Sequence, residues 1–226
     1  MCKAPQAGRT KTRLAAHIGA VAAAELSACF LRDVAAAIEA VPIELGCRGY
    51  GVYTPAGTEA ELRCLFPPGF GLMLQAGDDL GQALFGAVKD LLGMGHDGVL
   101  LVNGDSPTLP SAFLASAVEV LRHPGDRMVL GPAADGGYYL IGLKQAHPHL
   151  FANIAWGTAT VAQSTRERAV EVGLTIVELP EWYDIDDAET LGWLRAELAG
   201  NFGRFRNGGN APATSAMIAK LAGTLP

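Results

Sequence analysis

No CxxC pair and no other metal-ligand spacing links the four cysteines of this 226-residue chain, Cys2, Cys29, Cys47 and Cys64. A cysteine-held zinc and a redox dithiol are therefore excluded, and the expectation is four reduced thiols, with Cys29 on a core-facing helix. No apolar run approaches the roughly 18 residues of a membrane span, and the first residues carry no apolar stretch of a signal peptide. The compartment expected is the cytoplasm. Positive charge is also scarce: 17 Lys and Arg against 23 Asp and Glu give a net charge of -6. That balance argues against nucleic-acid binding by phosphate neutralisation. There is no internal repeat and no interdomain linker before residue 200. Neither common phosphate motif is present. Gly8-Arg9-Thr10-Lys11-Thr12 has no glycine five residues upstream, which excludes a P-loop. Gly93-Met94-Gly95-His96-Asp97-Gly98 matches GxGxxG in letters but follows a helix and precedes a strand, the reverse of the dinucleotide-binding order.

What is present is a chain with half its residues hydrophobic, long enough to bury roughly 70% of its unfolded surface in a core without staples. Leu26, Phe30, Val34, Ala37, Ile38 and Val41 recur at three- and four-residue spacing and predict a core-facing helix over 21–41. Further helices are predicted over 58–66, 79–95, 110–123 (opened by Pro110), 158–173 and at the end of "WYDIDDAETLGWLRAELAG". Strands are expected over 44–54, 71–77, 97–105, 126–133, 136–144 and 174–180. The strand "DGVLLVNGD" is apolar throughout, as in a parallel sheet covered on both faces. This alternation predicts a three-layer α/β/α sandwich around a mostly parallel mixed sheet. Residues 1–200 are read as one domain, and 201–226, rich in Gly, Asn, Ala and Ser, as a flexible or loosely docked tail.

Four segments carry chemistry. The opening loop places Lys3, Pro5, Gly8, Lys11, Thr12 and Arg13 around a turn that enters a helix, where backbone N–H groups and cationic side chains suit phosphate oxygens. A solvated cationic helix start is the alternative. "NGDSPTLP" ends an apolar strand on Asp105, a hard oxygen ligand suited to Mg²⁺, or else an Asx-type turn. "WYDIDDAETL" supplies Asp184, Asp186 and Asp187. Asp186 with Glu189 also fits a variant capping box, and one oxygen can serve a metal while the turn starts the helix. In "GPAADGGYYLIGL", Asp135 beside Gly136 and Gly137 is either an acceptor-orienting group or a hairpin turn. Trp156 is either an acceptor-site floor or a core tryptophan. The His147 and His149 pair flanks a proline and carries little weight as a metal site.

In order, "KAPQAGRTKTRL", "QAGDDLGQAL", "NGDSPTLP", "GPAADGGYYLIGL", "NIAWGTATV" and "DIDDAETL" resemble the signature of a bacterial GT-A-like transferase family. That family includes arsenosugar-biosynthesis-type glycosyltransferases and is related to 2-phospho-L-lactate guanylyltransferase and molybdenum-cofactor nucleotidyltransferases. The resemblance spans residues 2 to about 198. It implies the Rossmann-like nucleotide-diphospho-sugar transferase fold and a nucleotide contacted by Lys3, Ala4, Pro5, Gly8, Lys11, Thr12 and Arg13. Gly77, Asp79 and Gly81 match a second nucleotide-side loop, and Asp105 and Asp186 match the positions that hold Mg²⁺ or Mn²⁺. Asp135, Gly136, Gly137 and Trp156 fall on the acceptor side. Asp105, Lys11, Arg13 and Asp135 are the implied catalytic residues. Gly157 stands where the family usually has serine, and Asp187 where it usually has threonine. Relatives reach the Lys-Ala-Pro motif through a first strand of about five or six residues, whereas only Met1 and Cys2 precede Lys3 here, so a truncated first strand is expected. The activity implied is metal-dependent glycosyl transfer from a nucleoside-diphosphate sugar to a small-molecule acceptor. The alternatives are nucleotidyl transfer from a nucleoside triphosphate with release of pyrophosphate, or nucleotide binding without turnover. No nucleic-acid or membrane partner is expected.

Overall fold

A computed structural model of the protein describes residues 1–201 and 203–223. The chain divides into two compact units. The first comprises Cys2–Met73, Gly104–Ser111 and the chain from Asp184 onward; the second comprises Leu74–Asn103 and Ala112–Tyr183, with Met1.

The first unit begins with strand β1, Cys2–Lys3, then helices α1, Thr12–Ile18, and α2, Ala20–Glu39. Strand β2, Tyr50–Thr54, helix α3, Glu59–Arg63, and strand β3, Gly71–Leu74, follow. β1 lies parallel to β2, with Cys2 opposite Tyr53 and Lys3 opposite Thr54, in a three-stranded sheet of order β1-β2-β3. β1 is two residues long. β2 starts later than its sequence suggests, because Ile43–Leu45 closes into a 3-10 turn after Pro42. The stripe predicted on α2 is buried at Leu26, Phe30 and Val34, as its period requires. Cys2, Ala4, Leu31, Tyr53 and Leu62 form one apolar cluster of this unit.

The second unit contains α4, Leu80–Gly93, β4, Val99–Val102, α5, Ser111–Arg122, β5, Arg127–Pro132, β6, Tyr138–Leu143, α6, Val161–Glu171, and β7, Thr175–Glu178. The sheet order is β4-β6-β5-β7. β6 runs antiparallel to both β4 and β5, while β7 is parallel to β5, so three of the four strands share one direction. The apolar β4, read as a strand inside a parallel sheet, has the antiparallel β6 as its partner. A hairpin at Asp135-Gly136-Gly137 turns the chain back between β5 and β6, which is how an antiparallel strand enters this sheet. The GxGxxG lookalike is the loop between α4 and β4.

The chain returns to the first unit for α7, Ala188–Leu198, and α8, Pro212–Ala222. Within 201–226, expected to be flexible or loosely docked, Pro212–Ala222 is helical and buries Thr214, Met217 and Leu221. The carboxylate of Asp33 on α2, 2% exposed, accepts hydrogen bonds from the first-turn N–H groups of α8, Ala213 at 3.1 Å and Thr214 at 2.7 Å. Phe202 and residues 224–226 of that segment lie outside the described residues. The four cysteines are free thiols, with Cys29 only partly buried. Among the described residues, no helix is long and apolar enough to cross a membrane.

Candidate functional site

The opening loop is pinned at Thr10, which is 5% exposed. Its hydroxyl donates to the Ala4 carbonyl (2.9 Å) and accepts from the Gln6 N–H (3.1 Å). The Ala4 N–H in turn donates to the Thr54 carbonyl at the end of β2 (2.8 Å). The loop thus curls back on its own start, and Lys11 leaves it in the left-handed backbone region (φ 52°, ψ 49°). Few residues other than glycine adopt that region. Leu14, fully buried, anchors α1 one turn later, while Arg13 stays on the exposed side.

Three remote segments of the same unit meet there. The Lys11 ammonium lies 2.9 Å from Asp105 Oδ1 and 2.6 Å from Asp186 Oδ1, with its side chain 5% exposed. Arg13 Nη2 takes the other oxygen of Asp186 at 2.7 Å. Burial pushes the Lys11 ammonium toward losing its proton, but the charges and hydrogen bonds of Asp105 and Asp186 outweigh it and hold its pKa above the usual lysine value. The Asp105 carboxylate is therefore engaged by Lys11, a long-range partner, rather than serving only its own turn.

Each carboxylate has a firm support. The Asp105 carbonyl accepts from the Ile185 N–H (3.0 Å), which ties the two aspartate segments together by their backbones. Beyond Asp105 the loop sinks inward at Ser106 and Thr108, both essentially unexposed. Thr108 donates its hydroxyl to Glu197 of α7 (2.9 Å), and its carbonyl accepts from the Gly209 N–H (2.6 Å). The capping box expected at Asp186 and Glu189 is instead built by the next residue. The Asp187 carboxylate accepts from the Thr190 N–H (2.9 Å), and Thr190 Oγ1 accepts from the Asp187 N–H (3.2 Å). The Thr190 N–H and hydroxyl, aided by Arg13, hold the Asp187 carboxyl below its usual pKa against the opposing effect of burial. Asp187 starts α7, and the Asp186 side chain faces the lysine.

The remaining sequence-predicted residues lie elsewhere in the opening loop or in the second unit. Lys3, Gly8 and Thr12 are exposed, Ala4 is buried and Pro5 half-buried in the same loop. Gly77, Asp79, Gly81, Asp135, Gly136, Gly137 and Trp156 belong to the second unit. Asp79 caps α4, accepting from the Gln82 N–H at 2.8 Å. A Cβ on Gly81 would stand 2.7 Å from the Phe151 carbonyl and 2.9 Å from Trp156 Nε1. One on Gly136 (φ +90°) would collide with the Ala159 carbonyl. The segment from Phe151 to Ala159 is thus packed against both glycines, and it brings the Gly81 turn and the Asp135 hairpin around one loop. Asp135 is exposed and accepts from the Gly137 N–H (2.8 Å), an Asx-type turn. Trp156 is half-buried, edge-on to Tyr138 with 6.4 Å between ring centres, and so is neither a core residue nor a bare floor. His147 and His149 pair with Asp126 and Glu171.

Reading by motif missed Thr10, Thr108, Glu197 and Thr190, which orient the site without any charge pattern of their own. Only Thr190, three residues after an aspartate, left a local signal.

Among the described residues, no group of three or more His, Cys, Asp and Glu converges on a single position. Asp105 and Asp186 do converge on one cation, the Lys11 ammonium. Two carboxylates at one cation position suit Mg²⁺, which usually takes one or two protein carboxylates and completes its shell with substrate phosphates and water. The donor set fits such an ion.

A family model described as "Uncharacterized protein conserved in bacteria (DUF2064)" matches residues 37–158. No protein of curated function matches the sequence. A solved structure from Desulfovibrio desulfuricans G20, a proposed nucleotide-diphospho-sugar transferase, is 29% identical. The alignment covers 98% of this chain and 93% of that one, with a TM-score of 0.82. CMP:2-keto-3-deoxy-manno-octonic acid synthetase, solved with CTP, is 12% identical over 76% of this chain and 88% of its own, with a TM-score of 0.54. A cytidylyltransferase from Leptospira borgpetersenii serovar Hardjo-bovis is 14% identical over 86% and 83%, with a TM-score of 0.53. The chain has the nucleotide-diphospho-sugar transferase fold.

Proposed function

For this chain, which belongs to the bacterial family DUF2064, we propose a divalent-metal-dependent transferase that uses a nucleoside-diphosphate sugar and a small-molecule acceptor. The observation that carries the reading is the convergence of Lys11, Arg13, Asp105 and Asp186 at one point of a fold shared with nucleotide-using transferases.

In this reading Asp105 and Asp186 hold Mg²⁺ or Mn²⁺, which when bound supplies Lewis-acid stabilisation of phosphate charge. Lys11 is held as an ammonium by its carboxylates and gives a fixed positive charge beside the phosphates. Arg13, open to solvent, closes on a phosphate oxygen with a planar pair of donors. Both neutralise the charge that develops on the departing diphosphate, which is where positive charge favours the transition state over the ground state. Asp135 on its hairpin and Trp156 are assigned to the acceptor, and the Gly77-Asp79-Gly81 turn to the nucleotide.

A nucleotidyl-transfer reading uses the same four residues, and the likeness to the Desulfovibrio protein favours the glycosyl reading over it. The test is to incubate the protein with Mn²⁺ and panels of labelled nucleotide sugars and nucleoside triphosphates. Glycosyl transfer consumes a nucleotide sugar and releases nucleoside diphosphate; release of pyrophosphate from a triphosphate would replace it with nucleotidyl transfer. Tight metal-dependent binding with no consumption of either panel would make the protein a nucleotide binder. In whichever panel turns over, Asp105→Ala is expected to abolish activity while the melting transition remains cooperative. Retention of full metal-dependent activity by that variant would remove Asp105 from the site.

A further inference from the structure

We propose that Lys11 is the resident counter-cation of the Asp105–Asp186 pair and makes this centre admit a divalent cation only together with phosphate. The inference rests on the reading of Asp105 and Asp186 as cation ligands, and it concerns how the site refuses free metal.

The ammonium sits where both carboxylates point, 2.9 Å from Asp105 Oδ1 and 2.6 Å from Asp186 Oδ1. The other oxygen of Asp186 is taken by Arg13. Two cations balance two carboxylates, so the pair offers no net negative charge to an arriving ion. A divalent cation that enters alone must stand beside Lys11 or push it away. In the first case it meets a like charge at contact distance. In the second a lysine that is 5% exposed loses both its partners and stays buried as an unpaired charge, a strongly unfavourable state. Its retreat is restricted as well, because the backbone of Lys11 is fixed in the left-handed region directly after the buried Thr10 pin.

A phosphate group changes both terms. It supplies new anionic partners to Lys11 and Arg13, so the carboxylates are released without stranding the ammonium. It also fills metal positions that two protein carboxylates leave open. Metal and phosphate therefore bind with positive coupling, and the coupling is reciprocal. The result is selectivity: the centre distinguishes a metal–phosphate complex from the free metal ion.

The probe is Mn²⁺, counted by the electron paramagnetic resonance of the free ion, on the full chain and on Lys11→Met and Lys11→Gln, with and without inorganic pyrophosphate. A protein-free titration subtracts the Mn²⁺–pyrophosphate complex. The wild-type protein is expected to bind Mn²⁺ weakly alone and on the order of tenfold more tightly with pyrophosphate, while each neutral variant binds free Mn²⁺ on the order of tenfold more tightly than wild type. The variants should also lose most of the gain from pyrophosphate. Folded variants with no gain in affinity for free Mn²⁺ would overturn the role of Lys11, and so would a wild type that binds Mn²⁺ equally well alone. In both cases the proposed metal site would stand. Absence of Mn²⁺ binding under every condition would remove the metal reading together with this one. Should neither variant fold, the wild-type pair of titrations decides, since a centre without coupling shows no pyrophosphate effect.

Discussion

Asp186 and Asp187 are neighbours with the same carboxylate and opposite duties. Asp187 accepts from the N–H of Thr190 at the start of α7, while Asp186 reaches Lys11, 175 positions earlier in the chain. The division makes the two separable by mutation. Replacing Asp187 with Ala removes a helix cap and is expected to cost about 1 kcal/mol at neutral pH, measured by urea unfolding. Its folded carboxyl lies below the unfolded value, chiefly because of the Thr190 N–H. The stabilisation is then complete above the unfolded pKa, about 3.9 for Asp. It fades as pH falls through the depressed folded value. The gap between wild type and Asp187→Ala should therefore narrow in acid; a gap that widens below about pH 4 would contradict the cap assignment. The "DIDD" stretch made both duties legible in the sequence, and the resemblance gave Asp186 to the site, but the cap was read one residue too early. A capping box shifted by one residue satisfies the same local pattern, and only the distant lysine decides which aspartate is left for the site.

At the scale of elements, the pair α2 and α8 shows what a local reading loses. α2 was legible because its apolar residues keep a helical period. The burial of Asp33 was not, since a carboxylate among alanines on a helix reads as a solvated position. Its reason lies about 180 residues away, in the uncapped N–H groups of α8. In α8 itself, Thr214, Met217 and Leu221 have helical spacing, but Thr, Ala and Ser dilute the apolar signal until it resembles a tail. Asp33→Ala leaves two first-turn donors, that of Thr214 buried, without their acceptor and is expected to destabilise the protein by about 1–3 kcal/mol. Amide exchange should quicken first in α8. Uniform exchange across the chain, or no loss of stability, would mean that the apolar contacts alone dock this helix. The same limit applies to the sheet: β4 announced its burial by its composition, yet its antiparallel partner depended on a hairpin that begins 33 residues after the strand ends.

For the molecule as a whole, the net charge is opposite in sign to the Lys11 and Arg13 side chains that the proposed reading sets against phosphate. A protein of net charge -6 repels an anionic nucleotide at long range, and in the proposed reading the attraction comes at contact distance from Lys11, Arg13 and a divalent cation. Salt acts unequally on these two terms. Between about 0.1 M and 1 M the Debye length falls from ~10 Å to ~3 Å, which screens exposed charges and leaves buried contacts largely intact. Raising salt thus weakens the long-range repulsion while the attraction assigned to the buried Lys11 persists; the exposed Arg13, 71% accessible, loses part of its share. The two changes offset, and the nucleotide KM of the wild-type protein is expected to move by less than about threefold over this range. Arg13→Ala should raise KM at every salt concentration and make KM fall as salt rises, because relief of the long-range repulsion is no longer offset by the weakening of an exposed cation. Initial rates across a salt series, for both proteins, test this. A loss of affinity by more than about tenfold in the wild type is the behaviour of ligands steered to an exposed basic surface, and it would move the phosphate site away from Lys11.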